Sequence, residues 1–302
     1  MGKGQPSPPP SSSDVESGPN HHKPHHHKAP PPHFSPPLRQ PWVAWLVPLI
    51  FLADIVIFGA TMYINNCPAN SGPDECVLYD FLGRFSFEPR KYNPLFGPSP
   101  LTLKNLGGLD WKLVVERKQL WRLISCIWLH GGILHVAANM LSLLFTGVQM
   151  EQEFGFLRIG LLYLLSGFGG SLISALSAAR KKQTLVSVGA SGAIFGLLGA
   201  MLSDLFTNWT NYTNKCPALL NLVLVICLNL ALGFLPHVDN SAHIGGFISG
   251  FLLGFILLVR PQFGYVSSKH IPAGYQLKHK KPKYKCYHNV FWVIALVLLI
   301  VG

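Results

Sequence analysis

Long apolar stretches recur along this chain of 302 residues, and they constrain its fold more than any other feature. Stretches of about twenty mostly apolar residues, enough to cross the roughly 30 Å hydrocarbon core of a bilayer, lie at about 43–64, 131–150, 156–178, 185–206, 218–236 and 241–259. A shorter stretch follows at about 289–301. In lipid the backbone polar groups must be satisfied within the segment, so each stretch predicts a helix. The predicted fold class is an all-α polytopic membrane protein, with a six-helix core and a seventh C-terminal transmembrane helix.

The overall composition agrees with a membrane protein. Hydrophobic residues make up 49% of the chain and charged residues only 12%, which is little charge for a surface that faces water. Most of the net charge of +11 lies in the N-terminal region and in a Lys-rich segment after the sixth stretch. Neither region carries a nucleic-acid-binding motif, so membrane topology and anionic lipid explain the charge better than nucleic acid does. We expect the lipid bilayer as a partner and no nucleic acid.

The basic segments divide the chain and orient it. The N-terminal region holds twelve of the 24 prolines and six of the 13 histidines without an apolar period, which predicts disorder. Positive charge next to membrane spans favours the cytosolic side, so the N-terminal region and the Lys-rich segment are both predicted to be cytosolic, with six spans between them. The predicted divisions are a Pro/His-rich tail at 1–41, a core at 42–260 with a long first lumenal loop at 65–130, a basic cytosolic linker at 261–288, and the seventh span at 289–302.

Polar residues in the spans fall at similar places. His130, His135 and Asn139 lie at the start of the second span, Ser191 at the start of the fourth, and His243 at the start of the sixth. Even-numbered spans run in the same direction, so their starts share one leaflet. A polar side chain inside a membrane is costly and is typically functional. We therefore expect these five side chains to converge just below the lumenal face.

Two rows of small residues predict that the fourth and sixth spans pack closely. Small residues at four-residue spacing let two helix backbones approach each other in lipid. The rows are Gly192, Gly196 and Ala200 in the fourth span and Ala242, Gly246, Gly250 and Gly254 in the sixth. Ser191 adjoins the first row and His243 the second. If the rows face each other, hydroxyl and imidazole come within hydrogen-bond reach.

A serine next to a histidine is typical of hydrolases in which the imidazole takes the hydroxyl proton. His135 and Asn139 are four residues apart and share one helix face. Together with the backbone N–H of Ser191, they are candidate donors to an oxyanion. The sequence thus predicts Ser191 and His243 as nucleophile and base.

The same residues allow other interpretations. A serine in a row of small residues, taken alone, is typical of helix packing, and an isolated membrane histidine is typical of a hydrogen bond between helices. The convergence in one leaflet favours chemistry. No acid is well placed to orient His243, because Asp54 is deep in the first span, Asp204 is at the cytosolic end of the fourth, and Asp239 is at the membrane edge. A dyad is therefore the simpler prediction.

These residues resemble the motifs of the rhomboid intramembrane serine proteases. The matching motifs are Gly189-Ala190-Ser191-Gly192, Ala242-His243-Ile244-Gly245-Gly246, the stretch from His130 to Asn139, Trp121-Arg122, and Glu151 with Gly155 and Arg158. The resemblance covers about residues 42–260. The long first loop and the added C-terminal span resemble the eukaryotic secretory-pathway branch, and the chain is similar to plant rhomboid-like proteins.

The resemblance implies roles for particular residues. It implies a Ser191–His243 dyad and an oxyanion hole formed by His135, Asn139 and the Ser191 amide. It assigns structural or auxiliary roles to His130, Trp121, Arg122, Phe195, Gly192 and Gly246. Phe195 stands where bacterial members often have a tyrosine stacked on the histidine, so the stack is retained and the hydroxyl contact is lost. No cofactor and no metal ion are implied.

The resemblance also implies an activity and a location. The activity is that of an intramembrane serine endopeptidase that cuts single-pass membrane proteins within or near their transmembrane helix. The location is a membrane of the secretory pathway, with the Golgi favoured over the plasma membrane or ER, and the N-terminus is cytosolic. The alternative is a proteolytically inactive rhomboid-type protein that binds membrane clients in trafficking or degradation. The oligomeric state, the substrate and a disulfide between Cys67 and Cys76 stay open.

Overall fold

The computed structural model describes residues 41–184, 186–211, 214–232, 239–261 and 282–301. Of the predicted tail at 1–41 only residue 41 is described, and of the predicted basic linker at 261–288 only residues 261 and 282–288 are described. The long helices among those described are α1 (Leu46–Asn65), α2 (Ile133–Phe154), α3 (Phe156–Lys181), α4 (Ser191–Thr207), α5 (Lys215–Leu232), α6 (Asn240–Leu257) and α7 (Cys286–Val301).

The helices confirm the predicted all-α polytopic membrane fold. Four of those described, α1, α2, α3 and α6, are long and apolar enough to cross a membrane, and α4, α5 and α7 are shorter apolar helices. The predicted boundary of the fourth span is wrong. Helix α4 begins at Ser191, because the preceding residues pair with the first loop through the backbones of Leu109 and Ser187.

The two rows of small residues face each other, as predicted. A Cβ atom built on Gly246 would overlap the carbonyl oxygen of Gly192, and one on Gly250 would overlap that of Gly196. At Gly254 the added atom would lie 3.0 Å from the Cα of Ala200. Helices α4 and α6 therefore run parallel with their backbones in contact, which fixes the register between them. We call the end at which both helices begin the site side.

The first loop, on the site side, is folded around a buried arginine. The guanidinium of Arg122 donates to the carbonyl oxygens of Lys104 (2.6 Å) and Gly108 (2.7 Å) and to the side chain of Gln119 (2.7 Å). The neighbouring Trp121 is half exposed. Arg122 thus supplies a donor to the Gly108 carbonyl and a second donor to the Lys104 carbonyl, which also accepts from the Gly107 N–H at 3.3 Å. These contacts hold the loop together, and the auxiliary role of Arg122 stays a prediction.

A carboxylate in the same loop combines helix capping with an ion pair. Asp110 accepts from the N–H groups of Lys112 (2.9 Å) and Leu113 (3.4 Å) and pairs with Lys104 at 2.6 Å. Burial favours the protonated carboxyl, but the Lys104 ammonium and the two N–H groups outweigh it and lower the pKa of Asp110 below its ordinary value. The loop also contains a disulfide between Cys67 and Cys76, the pairing that the sequence left open.

On the opposite side, a buried glutamate holds the beginning of α1. The Glu151 carboxylate, in the last turn of α2, accepts from the backbone N–H groups of Trp45 (3.0 Å), Leu46 (2.8 Å) and Val47 (2.8 Å). No side chain within α1 caps this end of the helix. Glu151 therefore supplies from another helix the acceptors that the first N–H groups of α1 need.

The C-terminal helix α7 packs on the core. The rings of Phe255 in α6 and Phe291 in α7 lie 5.0 Å apart. His288 is buried, its Nδ1 accepts from the N–H of Lys285 (3.0 Å), and its Nε2 lies 2.9 Å from the carbonyl oxygen of Thr207. Because Nδ1 accepts, Nε2 carries the proton and donates to the last residue of α4.

Candidate active site

Ser191 is the first residue of α4, and a glycine two residues before it turns the chain into the helix. Gly189 has a φ of +126°, a conformation that L side chains rarely adopt. Its N–H donates to the carbonyl oxygen of Cys126 at 2.9 Å. An added Cβ would lie 2.7 Å from the ring of His135 and 3.4 Å from the Asn139 amide nitrogen. Only glycine fits here, and it brings the chain before the serine against both predicted oxyanion donors.

His243 lies in the first turn of α6 and is almost fully buried. Its ring stacks on Phe195 with centroids 4.4 Å apart and an interplanar angle of 18°, the contact expected of a phenylalanine at this position. Within the described part of the chain, neither ring nitrogen has a hydrogen-bond partner. The imidazole is thus oriented by packing, and no hydrogen bond to the Ser191 hydroxyl is formed.

Asp239, the nearest acid to His243 in sequence, is engaged elsewhere. Its carboxylate accepts from the backbone N–H groups of Ser241 (3.0 Å) and Ala242 (3.2 Å), which makes it the N-cap of α6. It also accepts from the hydroxyl of Ser174 in α3. The arrangement agrees with a dyad, because the carboxylate positions the helix that carries His243 and forms no hydrogen bond with the ring.

His135 and Asn139 project from the first turns of α2. The Nδ1 atom of His135 accepts from the backbone N–H of Gly131 at 3.2 Å. A ring nitrogen that accepts carries no proton, so the Nε2 atom carries it and is a donor. The Asn139 amide nitrogen is buried and has no partner among the described residues. Two side-chain hydrogen-bond donors, the Nε2–H of His135 and the amide of Asn139, therefore lie next to Gly189.

Ser191, His243, His135 and Asn139 line one pocket, whose roughly 450 Å³ of empty space includes the part open to solvent. Its other walls are Leu95 from the first loop, Leu134 and Ala138 from α2, Ile194 and Phe195 from α4, and Asn229 from α5. Asn229, whose Oδ1 accepts from the Ser142 hydroxyl at 2.8 Å, was not among the predicted site residues. A polar amide within an apolar stretch is the sequence feature that could have marked Asn229 as a candidate. The cavity is mainly apolar with a few converging polar groups, as is typical of binding sites.

The remaining predicted residues lie around this cavity and do not line it. His130 precedes α2, at the end of the first loop, and its buried ring contacts that of His135 edge-on at 5.5 Å. Gly192 and Gly246 form the contact between α4 and α6. Trp121 and Arg122 lie in the first loop. Within the described ranges no three His, Cys, Asp or Glu side chains are grouped to hold a metal ion.

The fold and the site together define a class, that of helical membrane proteins with a serine and a histidine at the beginnings of two parallel, closely packed helices. The chain belongs to the rhomboid family, whose Rhomboid domain matches residues 117–260. RHOMBOID-like protein 5 of Arabidopsis thaliana is 62% identical over 270 residues, covering 89% of this chain and 86% of that protein.

Two further relatives differ in the activity that their names state. Inactive RHOMBOID-like protein 8 of Arabidopsis thaliana is 46% identical over 226 residues, covering 75% of this chain and 63% of that protein. Rhomboid-type serine protease 2 of Emericella nidulans is 37% identical over 155 residues, covering 51% of this chain and 30% of that protein. Membership of the family therefore leaves the activity of this chain to be argued from its own site.

Proposed function

We propose that this chain is an intramembrane serine endopeptidase that uses Ser191 and His243 as a catalytic dyad. The observation that carries the proposal is the single cavity lined by a serine hydroxyl, an imidazole and two side-chain donors. The imidazole is held by Phe195, and the donors lie next to the glycine that precedes the serine. Each group that acyl transfer requires is present within one pocket.

The reaction follows from the roles that these groups are able to take. His243 removes the hydroxyl proton of Ser191 as the oxygen attacks a substrate carbonyl carbon. The negative oxygen of the tetrahedral intermediate accepts from the Ser191 N–H, the His135 Nε2–H and the Asn139 amide. The N-terminus of α4 adds its positive partial charge at the same point. His243 then protonates the leaving amine, and water hydrolyses the acyl-enzyme by the same steps.

The absence of a hydrogen bond between Ser191 and His243 does not exclude this mechanism. Catalytic hydrogen bonds are often long or poorly aligned before the substrate binds and tighten in the complex. Both ring nitrogens of His243 lack other partners among the described residues, so no existing bond competes for the hydroxyl.

The proposed substrates are single-pass membrane proteins. The carbonyls of a transmembrane helix are hydrogen-bonded within the segment, which protects its peptide bonds. A site at the beginnings of α4 and α6 meets the end of a substrate helix, where local unwinding costs least. Substrates with Gly, Pro or polar residues near that end should therefore be cleaved best.

Labelling with a fluorophosphonate tests the dyad directly. The full chain in detergent or vesicles should be labelled, and Ser191→Ala should lose both the label and the cleavage of a reporter with a single transmembrane helix. Ser203→Ala is the matched control, because Ser203 is buried in the same helix and donates only to the carbonyl of Ala200 at 2.8 Å. Equal labelling of Ser191→Ala and the wild type would refute the proposal.

A second candidate function is binding of membrane clients without hydrolysis, in trafficking or degradation. It is favoured by the relative named as an inactive RHOMBOID-like protein. The same experiment separates the two functions: a client-binding protein would retain its clients in Ser191→Ala and would not react with the fluorophosphonate in either form.

We also propose that the site side faces the lumen of the secretory pathway and that the N-terminus and the linker at 261–288 are cytosolic. The Golgi is the first organelle in which to look for the protein. The Cys67–Cys76 disulfide lies in the first loop on the site side, and disulfides persist in oxidising compartments. Asn208 and Asn211 each stand two residues before a threonine, the pattern of an N-glycosylation acceptor, and both lie beyond the opposite end of α4, on the side proposed to be cytosolic and so not glycosylated. Endoglycosidase treatment should therefore leave the mobility of the protein unchanged, and glycosylation at either asparagine would reverse the proposed orientation.

A further inference from the structure

The first loop carries an exposed apolar segment that the proposed site does not use. We call Leu78–Phe85 the tip; it consists of a helical turn at Tyr79–Leu82 and a 3-10 turn at Gly83–Phe85. Phe81 is 87% exposed and Leu78 is 57% exposed. Tyr79 and Phe85 are also exposed. Exposed apolar side chains grouped this closely indicate a surface that contacts something other than water.

The tip is held in a fixed shape. The backbones of Val77 and Phe87 pair on either side of it with N–H to O distances of 2.9 and 3.1 Å, and Phe87 is buried. The Cys67–Cys76 disulfide ends one residue before this pairing. Leu78 has a φ of +61°, which is unfavourable for leucine, although its side chain is mostly exposed. This conformation is held by backbone hydrogen bonds, since the Leu78 carbonyl accepts from the N–H groups of Phe81 (3.2 Å) and Leu82 (2.9 Å), and it presents the leucine side chain outward.

The tip adjoins the surface of α1 that faces lipid. The Arg84 Nε donates to the carbonyl oxygen of Tyr63 at 3.0 Å, and its guanidinium lies 4.0 Å from the centroid of the Tyr63 ring. The rings of Tyr63 and Phe85 are 5.8 Å apart. Tyr63 and Ile64, both exposed, belong to the last turn of α1 on the site side. The exposed apolar surface therefore continues from the membrane helix onto the tip.

We propose that the tip is an interfacial anchor, in which Leu78 and Phe81 enter the site-side leaflet at the boundary between headgroups and acyl chains. Aromatic side chains at the end of a membrane helix favour this depth, where one part of the ring is apolar and another is wet. Arg84 is exposed next to them and complements lipid phosphate groups. The partner is the phospholipid surface itself, and the contact holds the first loop at a set height above the core.

Photo-cross-linking in a bilayer tests the anchor without reference to proteolysis. The full chain is prepared with Phe81→p-benzoylphenylalanine, reconstituted in phosphatidylcholine vesicles that contain an alkyne-tagged phosphatidylcholine, and irradiated. The matched control is Glu75→p-benzoylphenylalanine, because Glu75 lies in the same loop with an exposed carboxylate paired to Lys91. The lipid adduct at position 81 is expected to exceed that at position 75 several-fold.

Other outcomes would overturn the proposal. Equal lipid adducts at the two positions would show that the tip is not preferentially in lipid. A cross-linked dimer would indicate that a second copy of the chain covers the tip. An intact disulfide, seen as a mobility difference between reduced and unreduced samples, verifies that each variant is folded. If Phe81→p-benzoylphenylalanine does not fold, Leu78→p-benzoylphenylalanine tests the same claim from the other exposed side chain.

Discussion

Replacing Glu151 with glutamine should destabilise the core although it changes few atoms. The carboxylate accepts from three N–H groups at the beginning of α1 and is fully buried. In Glu151→Gln the remaining oxygen still accepts from Trp45 and Leu46, while the new NH₂ group faces the N–H of Val47. One buried N–H left without an acceptor costs about 1–3 kcal/mol. Loss of the negative charge at a helix N-terminus adds about 0.3–1 kcal/mol.

The expected total for Glu151→Gln is about 1–4 kcal/mol of unfolding free energy. The destabilisation is detected as a fall in the thermal or denaturant midpoint of unfolding of the purified protein in micelles. The control is Glu153→Gln, because Glu153 is partly exposed and pairs with Arg260 at 2.8 Å. Such a surface pair contributes about 0–1 kcal/mol. If Glu151→Gln were no more destabilising than Glu153→Gln, the capping of α1 from α2 would be refuted.

Three further predictions concern packing, catalysis and pH. Gly250→Ala should lose about 1–3 kcal/mol of stability, because its Cβ would overlap α4. In the same assay Gly59→Ala, which has open space around its Cβ, should be neutral or gain up to about 1 kcal/mol. Phe195→Leu should lower kcat up to about tenfold by removing the ring stacked on His243, while Phe195→Tyr should stay near wild type; equal rates would contradict the stacking argument. The pKa of Asp110 is lower in the folded than in the unfolded protein, so its carboxylate stabilises the fold at any pH above the unfolded-state pKa of about 3.9. This stabilisation is lost as the pH falls through the folded-state pKa. Asp110→Asn should therefore show a flatter loss of stability than wild type below about pH 4, and parallel curves would refute the assignment.

Much of the core and of the candidate site could be predicted from the sequence, because both depend on periodic patterns. Four-residue spacing of small residues predicts the α4–α6 contact, and span direction predicts the shared position of Ser191 and His243. These inferences need only the geometry of a helix and the thickness of a bilayer.

What the sequence could not supply comes from contacts between distant, non-periodic segments. Glu151 caps a helix that begins 105 residues earlier. The predicted start of the fourth span was wrong because hydropathy does not reveal that Ser187 pairs with Leu109 of the first loop. Asn229 was missed because one amide in an apolar stretch does not show which helix it meets.

The helix that carries Ser191 is held at both ends by parts of the chain remote from it. On the site side, the backbone before the serine is bonded to Leu109 and Cys126 in the first loop. At the other end, the carbonyl of Thr207 accepts from His288 in α7. Since a helix is stiff along its axis, the depth of the serine hydroxyl in the membrane is set jointly by structures on the two faces of the bilayer. Variation in the C-terminal helix is thus expected to shift the depth of Ser191 without changing any residue that lines the site cavity.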